Sequence, residues 1–220
     1  MSSKTAAEID PDAWLEAALA RLDEWGLILD SDPKLPSWPS LVVEHQVRGS
    51  WWSDPDVQLI DEVGSRLVNH PDVFHVVLVS GKLTCLHRRL WEAFLAVALA
   101  DEDWKFRGLS AAARTVLELT RAGGRLSADE AGLPSTDAKQ NGRLMRELER
   151  RLLCAGGSMH TARGAHVKFV IGWETWMAEH DLPAPRLPAE SGRRQLDECL
   201  AALNRQFDGH GTLPWRAATP

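Results

Sequence analysis

DAKQNGRLMRELERRLLCAGGSMHTARGAHVKFVI, residues 137–171, is the most informative part of the sequence for the fold. Its first half predicts a helix running to about Leu153. Four residues, here called the basic stripe, lie along one face of that helix: Lys139, Arg143, Arg146 and Arg150. At 100° per residue they fall within about 60° of one another, and apolar residues occupy the opposite side: Leu144, Met145, Leu148 and Leu152. A helix divided in this way buries one face and presents positive charge on the other.

A β-hairpin is predicted directly after this helix. Residues 155–157 predict a turn, and two strands follow over 159–162 and 166–171, with Arg163 near the tip. The hairpin and the basic helix therefore form one continuous unit in the sequence.

Two helices are predicted upstream of the basic helix. Ser110 can cap a helix over 111–122 that ends at the Gly123-Gly124 pair, and Ser127-Ala-Asp-Glu130 fits a capping box for a short second helix. Helix, short helix, basic helix and hairpin is the order of a winged helix-turn-helix. We assign this domain to residues 109–180.

The basic stripe predicts contact with nucleic acid, with double-stranded DNA as the expected partner. Such a helix lies in a major groove, where arginines reach phosphates and guanine edges. The hairpin would contact the backbone as a wing through His160, Arg163 and Lys168. The alternatives are a solvated helix face with local ion pairs through Glu147 and a hairpin with a purely structural role.

The N-terminal half predicts a small α+β unit with its own hairpin. A helix is expected over about 11–29, as part of an N-terminal extension covering 1–35. Residues 36–105 then predict a helix to about His70, strands over 74–79 and 82–87, and a further helix. The expected fold class is thus α+β and mostly helical. A Pro-rich spacer at 182–192 precedes a C-terminal helix and tail covering 190–220.

Charge and composition limit the classes of protein to which this chain can belong. The 220 residues carry a net charge of −6, yet residues 135–168 hold 7 basic and 3 acidic residues. The longest apolar run has eight residues, too few to cross a bilayer, so no membrane segment is expected. The N-terminus lacks the apolar core of a signal peptide, and three dispersed cysteines (Cys85, Cys154, Cys199) are typical of reduced thiols, which together predict a cytoplasmic protein.

Motifs for metals and cofactors are lacking in the sequence. The hairpin histidines His160 and His166 would need a third ligand to hold zinc, and no clear one is nearby, so we predict no metal. A nucleophile elbow, a paired-metal motif and a dinucleotide fingerprint are missing, so no cofactor is predicted. Whether the protein is an enzyme stays open at this point.

A candidate pocket is predicted in the N-terminal half. Two adjacent tryptophans in a polar loop could stack a base, and a strand-to-helix junction adds basic residues that could bind an anion. The residues of this candidate pocket are Arg48, Ser50, Trp51, Trp52, Asp54, Lys82, His87 and Arg88. The alternatives are that both tryptophans anchor a long loop onto the core and that His87 is a half-buried structural histidine.

Several stretches carry a resemblance to a known family. They are Arg48-Gly-Ser-Trp-Trp-Ser-Asp-Pro55, His70-Pro-Asp-Val73, Ser80-Gly-Lys82, His87-Arg-Arg-Leu-Trp91, Leu148-Glu-Arg-Arg-Leu-Leu153 and His160-Thr-Ala-Arg-Gly-Ala-His166. Over roughly residues 36–180 the chain resembles the AlkZ-related bacterial winged-helix proteins, which are distantly similar to the AlkZ-like DNA glycosylases. Those enzymes unhook interstrand crosslinks and excise alkylated bases with tandem winged helices.

The resemblance implies a winged helix and a role in DNA repair, but it assigns no catalytic residue. The glycosylases carry a Gln-x-Gln motif, and the nearest match here, Glu44-His45-Gln46, has one Gln. The family stretch after the double tryptophan tends to have His where this chain has Asp54.

Three functions follow from these patterns. The first is a non-enzymatic DNA-binding protein, a regulator or repair accessory. The second is a glycosylase acting on alkylated bases, with the candidate pocket receiving a flipped base. The third is a protein-interaction module, since the acidic N-terminal half suits a protein partner.

Overall fold

The computed structural model describes residues 10–47, 50–130, 132–160 and 166–216. Within these ranges the chain is α+β and mostly helical, with two small three-stranded antiparallel sheets, which confirms the expected class. Two compact units divide the chain. Unit 1 comprises residues 1–75, 82–91 and 197–212, and unit 2 comprises residues 76–81, 92–196 and 213–220.

This division differs from the four segments predicted from the sequence (1–35, 36–105, 109–180 and 190–220). The N-terminal helix is no separate extension, because its buried residues Ala18 and Leu22 belong to the same core as Ile60 of the predicted α+β unit. The C-terminal helix likewise returns to unit 1, where Phe207 packs edge-on against Trp25 with ring centroids 5.2 Å apart. Long-range packing of this kind leaves no local mark in a sequence.

Unit 1 begins with a helix that is shorter than predicted. Helix α1 spans Pro11–Trp25, and Gly26 ends it at a left-handed φ of +81°, donating its backbone N–H to Leu22 O. A side chain is strained at such a φ, which is why glycine suits this stop. Residues Leu27–Leu29, predicted as the last helical turn, instead form the buried strand β1.

Two further helices and two strands belong to unit 1, although the first of these strands ends two residues beyond its boundary. They are the helices α2 (Trp38–Val42) and α3 (Val57–Val68) and the strands β2 (Val73–Val77) and β3 (Leu83–His87). The sheet order is β1-β3-β2, with Leu27 opposite Leu86 and Leu29 opposite Thr84. The predicted helix to about His70 and both hairpin strands are confirmed within a few residues.

Unit 2 follows the same course of helix, strand, helix and hairpin. Its elements are α4 (Trp91–Leu99), α5 (Asp103–Phe106), α6 (Ala111–Ala122), β4 (Arg125–Ser127), α7 (Ala138–Arg150), β5 (Ala155–His160), β6 (His166–Ile171) and α8 (Trp173–Glu179). The sheet order is β4-β6-β5. The last helix, α9 (Ala189–Gln206), starts in unit 2 and ends in unit 1.

The predicted short second helix is wrong. Only half of a capping box is formed: Ser127 N donates to Glu130 Oε2 at 3.1 Å, but Glu130 N donates to the backbone O of Ser127 at 3.1 Å, and the Ser127 hydroxyl donates to Asp129 Oδ1 instead. Only a turn follows at residues 128–129, and no helix precedes α7 in the described residues 132–137. These hydrogen bonds therefore close a single turn and do not start a helix.

The hairpin also starts earlier than predicted. Residues 155–157, predicted as a turn, belong to β5, and Gly157 lies opposite Phe169 of β6. A Cβ at Gly157 would come within 2.8 Å of the Phe169 ring, so the glycine serves close strand packing rather than a bend. The tip, residues 161–165 with Arg163, lies outside the described residues.

No helix in the described part of the chain is long and apolar enough to cross a membrane.

Candidate nucleic-acid interface

Helix α7 is fixed at its start by side-chain hydrogen bonds. Asp137 caps it by accepting from Lys139 N at 2.9 Å. The buried Asn141 donates to Ala128 O at 3.0 Å and to Ser135 O at 2.7 Å, which holds the preceding turn against the helix.

The apolar side of α7 packs into the core of unit 2, as the sequence predicts. Met145 and Leu148 are fully buried in one cluster with Val116 of α6 and Val170 of β6. This packing fixes which face of α7 turns outward. All four residues of the basic stripe are exposed on that face.

No member of the basic stripe forms an ion pair with a carboxylate in the described part of the chain, or a side-chain hydrogen bond there. Several surface cations elsewhere are ion-paired, whereas Arg107, Arg186, Arg194 and Arg205 are exposed and show no carboxylate partner in the described residues. The ion-paired ones are Arg21 with Glu24, Lys34 with Asp208, Arg66 with Asp12, Lys82 with Asp32, Arg88 with Asp72 and Arg125 with Glu179. The stripe thus concentrates free positive charge on one helix. From Lys139 to Arg150 it extends over about 16 Å of helix axis.

Two glutamates of α7 have their contact partners outside the basic stripe. Glu147 Oε1 lies 3.5 Å from Arg151 Nε, a local ion pair that the sequence had suggested. Glu149 is buried, with Oε2 2.7 Å from Lys168 Nζ on β6. Burial raises the pKa of Glu149, and Lys168 opposes that shift together with the nearby charges of Arg146 and Arg150.

The predicted wing residues have different outcomes. The Lys168 side chain is only 18% exposed and is committed to Glu149, so it holds the hairpin to α7. His160 ends β5, and only its backbone is described. Among the described residues, no three metal-binding side chains come together.

The basic residues of the candidate pocket each contact a separate partner. Lys82 Nζ donates to Asp32 at 2.8 Å, and Arg88 donates to Asp72 at 2.8 Å. His87 Nδ1 lies 3.4 Å from Asp23 Oδ1. Each basic group therefore faces a different carboxylate.

The double tryptophan forms the other part of the candidate pocket. The rings of Trp51 and Trp52 are stacked, with centroids 3.9 Å apart, and Trp51 packs edge-on against the buried Trp38. Ser50 O accepts hydrogen bonds from Ser53, which closes one tight turn around the pair. The loop is thus anchored through Trp51, one of the predicted alternatives, whereas Trp52 is not buried. Arg48 lies outside the described residues.

The side chain of Asp54 is bound by a histidine. His45 Nε2 lies 3.2 Å from Asp54 Oδ2, and His45 Nδ1 lies 2.9 Å from Val43 O. Hydrogen bonding to Asp54 raises the pKa of His45.

Sequence reasoning missed Lys105, which lines a cavity of about 320 Å³ in unit 2 with Thr120 and Trp173. Its amine is buried and donates to Val97 O at 2.6 Å and to Ala98 O at 2.7 Å, which caps the end of α4. Burial lowers the pKa of Lys105 to about 8. The flanking aromatics Trp104 and Phe106 were the one hint of burial in the sequence.

Comparison of the chain with protein-family models, with curated proteins and with solved structures returned no match.

Proposed function

We propose that this protein binds double-stranded DNA through the basic stripe of α7. The observation that carries the proposal is the four exposed cations on one helix, none paired with a carboxylate in the described residues. When unpaired surface cations neutralise DNA phosphates, the counterions condensed on the DNA are released. This release supplies much of the affinity for a duplex.

The order of elements around α7 supports the same proposal. Helix α6, strand β4, helix α7 and the β5–β6 hairpin, with sheet order β4-β6-β5, follow the course of a winged helix. A turn stands where a winged helix has its short second helix. On this proposal α7 would act as the recognition helix and the β5–β6 hairpin as the wing.

The proposal includes no catalytic residue. Lys82, Arg88 and His87 each face a separate carboxylate, so these three side chains are engaged apart from one another in the described part of the chain. Exposure of the stripe also favours DNA over a role in which residues 1–108 cover it. The resemblance to AlkZ-related proteins suggests DNA repair as the setting.

The test is the affinity of the full chain for a 25-bp duplex, measured by fluorescence anisotropy at low salt. The triple variant Arg143→Ala, Arg146→Ala, Arg150→Ala is expected to bind at least about tenfold more weakly on unrelated sequences, because phosphate contacts carry no sequence information.

The matched control removes the same charge from unit 1. Arg21, Lys34 and Arg66 are each ion-paired with a carboxylate, so their joint replacement by Ala is expected to change the affinity less than threefold. Equal losses for the two triple variants would mean that net charge alone governs binding, and the proposal would fail.

A further inference from the structure

We propose that the cavity beside Lys105 in unit 2 binds a small organic carboxylate with a single negative charge, which accepts a hydrogen bond from the buried amine. The proposal adds a small-molecule site to the protein. It concerns residues of unit 2 alone and does not depend on DNA binding.

The cavity has the size and the wall of a small-ligand site. Its volume is about 320 Å³, and its lining comes from the ends of α4 and α6, from α5 and from the start of α8, all within unit 2. Part of the wall is apolar and is formed by Ala98, Leu99, Leu153 and Trp173. The indole of Trp173 is fixed, since its Nε1 donates to Leu152 O at 2.9 Å. The cavity can therefore hold the apolar body of an organic molecule.

The polar part of the wall includes a buried ammonium that lacks an anionic partner. Lys105 is 1% exposed, and it forms no ion pair in the described part of the chain. Two of its three N–H groups donate to Val97 O and Ala98 O, and the ring centroid of Trp104 lies 5.7 Å from the amine, near the limit of a cation–π contact. The third N–H has no acceptor among the described residues. A buried charge is unfavourable without a counter-charge, so this amine favours an anionic acceptor.

The carboxylates nearest in the sequence are engaged elsewhere. Glu102 Oε1 is bound to Arg193, and Glu102 Oε2 accepts from Trp104 Nε1 at 2.7 Å. Asp101 Oδ1 lies 3.4 Å from Arg121 Nη2. Both acids raise the pKa of Lys105 by their charge, but burial outweighs them and lowers it to about 8. An external carboxylate can thus supply the partner that these two do not.

The charges of the lining favour a monocarboxylate over a phosphate. Asp101 and Glu174 also line the cavity, and both are exposed to solvent, whereas Lys105 is buried. Two acids near the ligand oppose a second negative charge, and a phosphate carries more than one at neutral pH. The apolar wall also has no use for inorganic phosphate. A single carboxylate on an apolar body satisfies both parts of the cavity.

The experiment uses benzoate as the probe. It is titrated into the ¹⁵N-labelled full chain, and binding is followed by two-dimensional NMR. For a ligand of this size we expect a dissociation constant on the order of 1 mM, with shifts at the residues that line the cavity. Benzamide has the same shape without the charge, and it should bind about tenfold more weakly because a hydrogen bond between two charged groups is lost.

The pH dependence of benzoate binding tests the role of the amine. Benzoate stays ionised from pH 7 to pH 9, whereas the protonated fraction of a group with a pKa of about 8 falls from about nine tenths to about one tenth. The affinity should therefore fall about tenfold over this range. Benzamide binding should stay constant within about twofold.

Two variants separate the amine from general charge. Lys105→Met keeps an apolar side chain of similar length, and it should weaken benzoate binding at least about tenfold and abolish the pH dependence. Arg194→Met removes an exposed cation of unit 2 that lies outside the lining, and it should change the affinity less than about twofold. Circular dichroism checks that both variants are folded. If Lys105→Met does not fold, the pH series and the benzamide comparison on the wild type decide the question.

Three results would overturn the proposal. They are equal affinities for benzoate and benzamide, a benzoate affinity that does not change with pH, and tighter binding of inorganic phosphate than of benzoate. Loss of duplex binding in the variants of the basic stripe bears on the DNA proposal alone, because none of the stripe residues lines the cavity.

Discussion

Helices α3 and α7 have the same position in the order of elements that forms each of the two sheets. Each comes between the first strand of its sheet and the two strands that complete it, and the two sheets have the same topology. Each precedes a hairpin, and in each sheet the last strand lies between the first and the second, as β1-β3-β2 and β4-β6-β5. The sequence shows no internal repeat that would announce this likeness. Helix α3 carries one cation, Arg66, which is paired with Asp12, whereas α7 carries four that have no carboxylate partner in the described residues.

Different residues set the topology and the surface charge of these two regions. Buried apolar positions such as Ile60 in α3 and Met145 in α7 hold each helix on its sheet. The exposed positions are free to differ, and they decide what each surface attracts.

The largest effect is expected at the ion pair that joins α7 to its hairpin. Lys168→Met would leave the buried carboxylate of Glu149 without its partner and should lower the free energy of unfolding by about 3–5 kcal/mol. Urea denaturation measures the loss. The control in unit 1 is Lys82→Met, whose pair with Asp32 is more exposed and should cost about 1 kcal/mol or less. Equal losses would show that the two pairs do not differ in this way.

A second feature of unit 2 with an effect on stability is the buried side chain of Lys105. Its pKa is about 8 in the folded state and 10.5 ordinarily, so between these values the unfolded chain binds more protons. The free energy of unfolding of the wild type should therefore rise by about 2 kcal/mol from pH 8 to pH 10, relative to Lys105→Met. Urea titrations at both pH values provide the measurement. Parallel pH profiles for the two proteins would contradict the lowered pKa.

A smaller difference lies at the helix starts. Asp137 caps α7 by a side-chain hydrogen bond to Lys139 N, whereas Asp56 at the start of α3 forms no such bond. Asp137→Ala should cost about 1 kcal/mol of stability, and Asp56→Ala should cost close to nothing. Thermal unfolding of the two variants tests this, and a larger loss at Asp56 would reverse the expected order.

Local signals predicted the longer helices of the fold but missed the short helices α2, α5 and α8. Helix α6 has its predicted bounds because Ser110 caps it, accepting from Ala113 N at 3.1 Å, and the Gly123-Gly124 pair follows its last residue. The basic stripe was found from the helical period alone, and its exposure is confirmed. Both depend on residues within a few turns of each other.

Long-range contacts were beyond local signals. Strands β1 and β4 have three residues each, too few for a period, and β1 pairs with residues 84–86, far along the chain. The sequence did not predict that the basic residues of the candidate pocket have separate partners, because it does not tell which carboxylate each cation meets. Lys105 escaped notice because its partners are backbone carbonyls, which every residue has.

The central claim is that free cations on α7, rather than positive charge in general, hold a duplex. The direct measurement is the slope of log affinity against log salt concentration for a 25-bp duplex. Four phosphate contacts give a slope of about −4 for the wild type, and the Arg143, Arg146 and Arg150 triple variant should retain a slope of about −1. The Arg21, Lys34 and Arg66 triple variant should keep the wild-type slope. A slope unchanged in the α7 variant would contradict the claim.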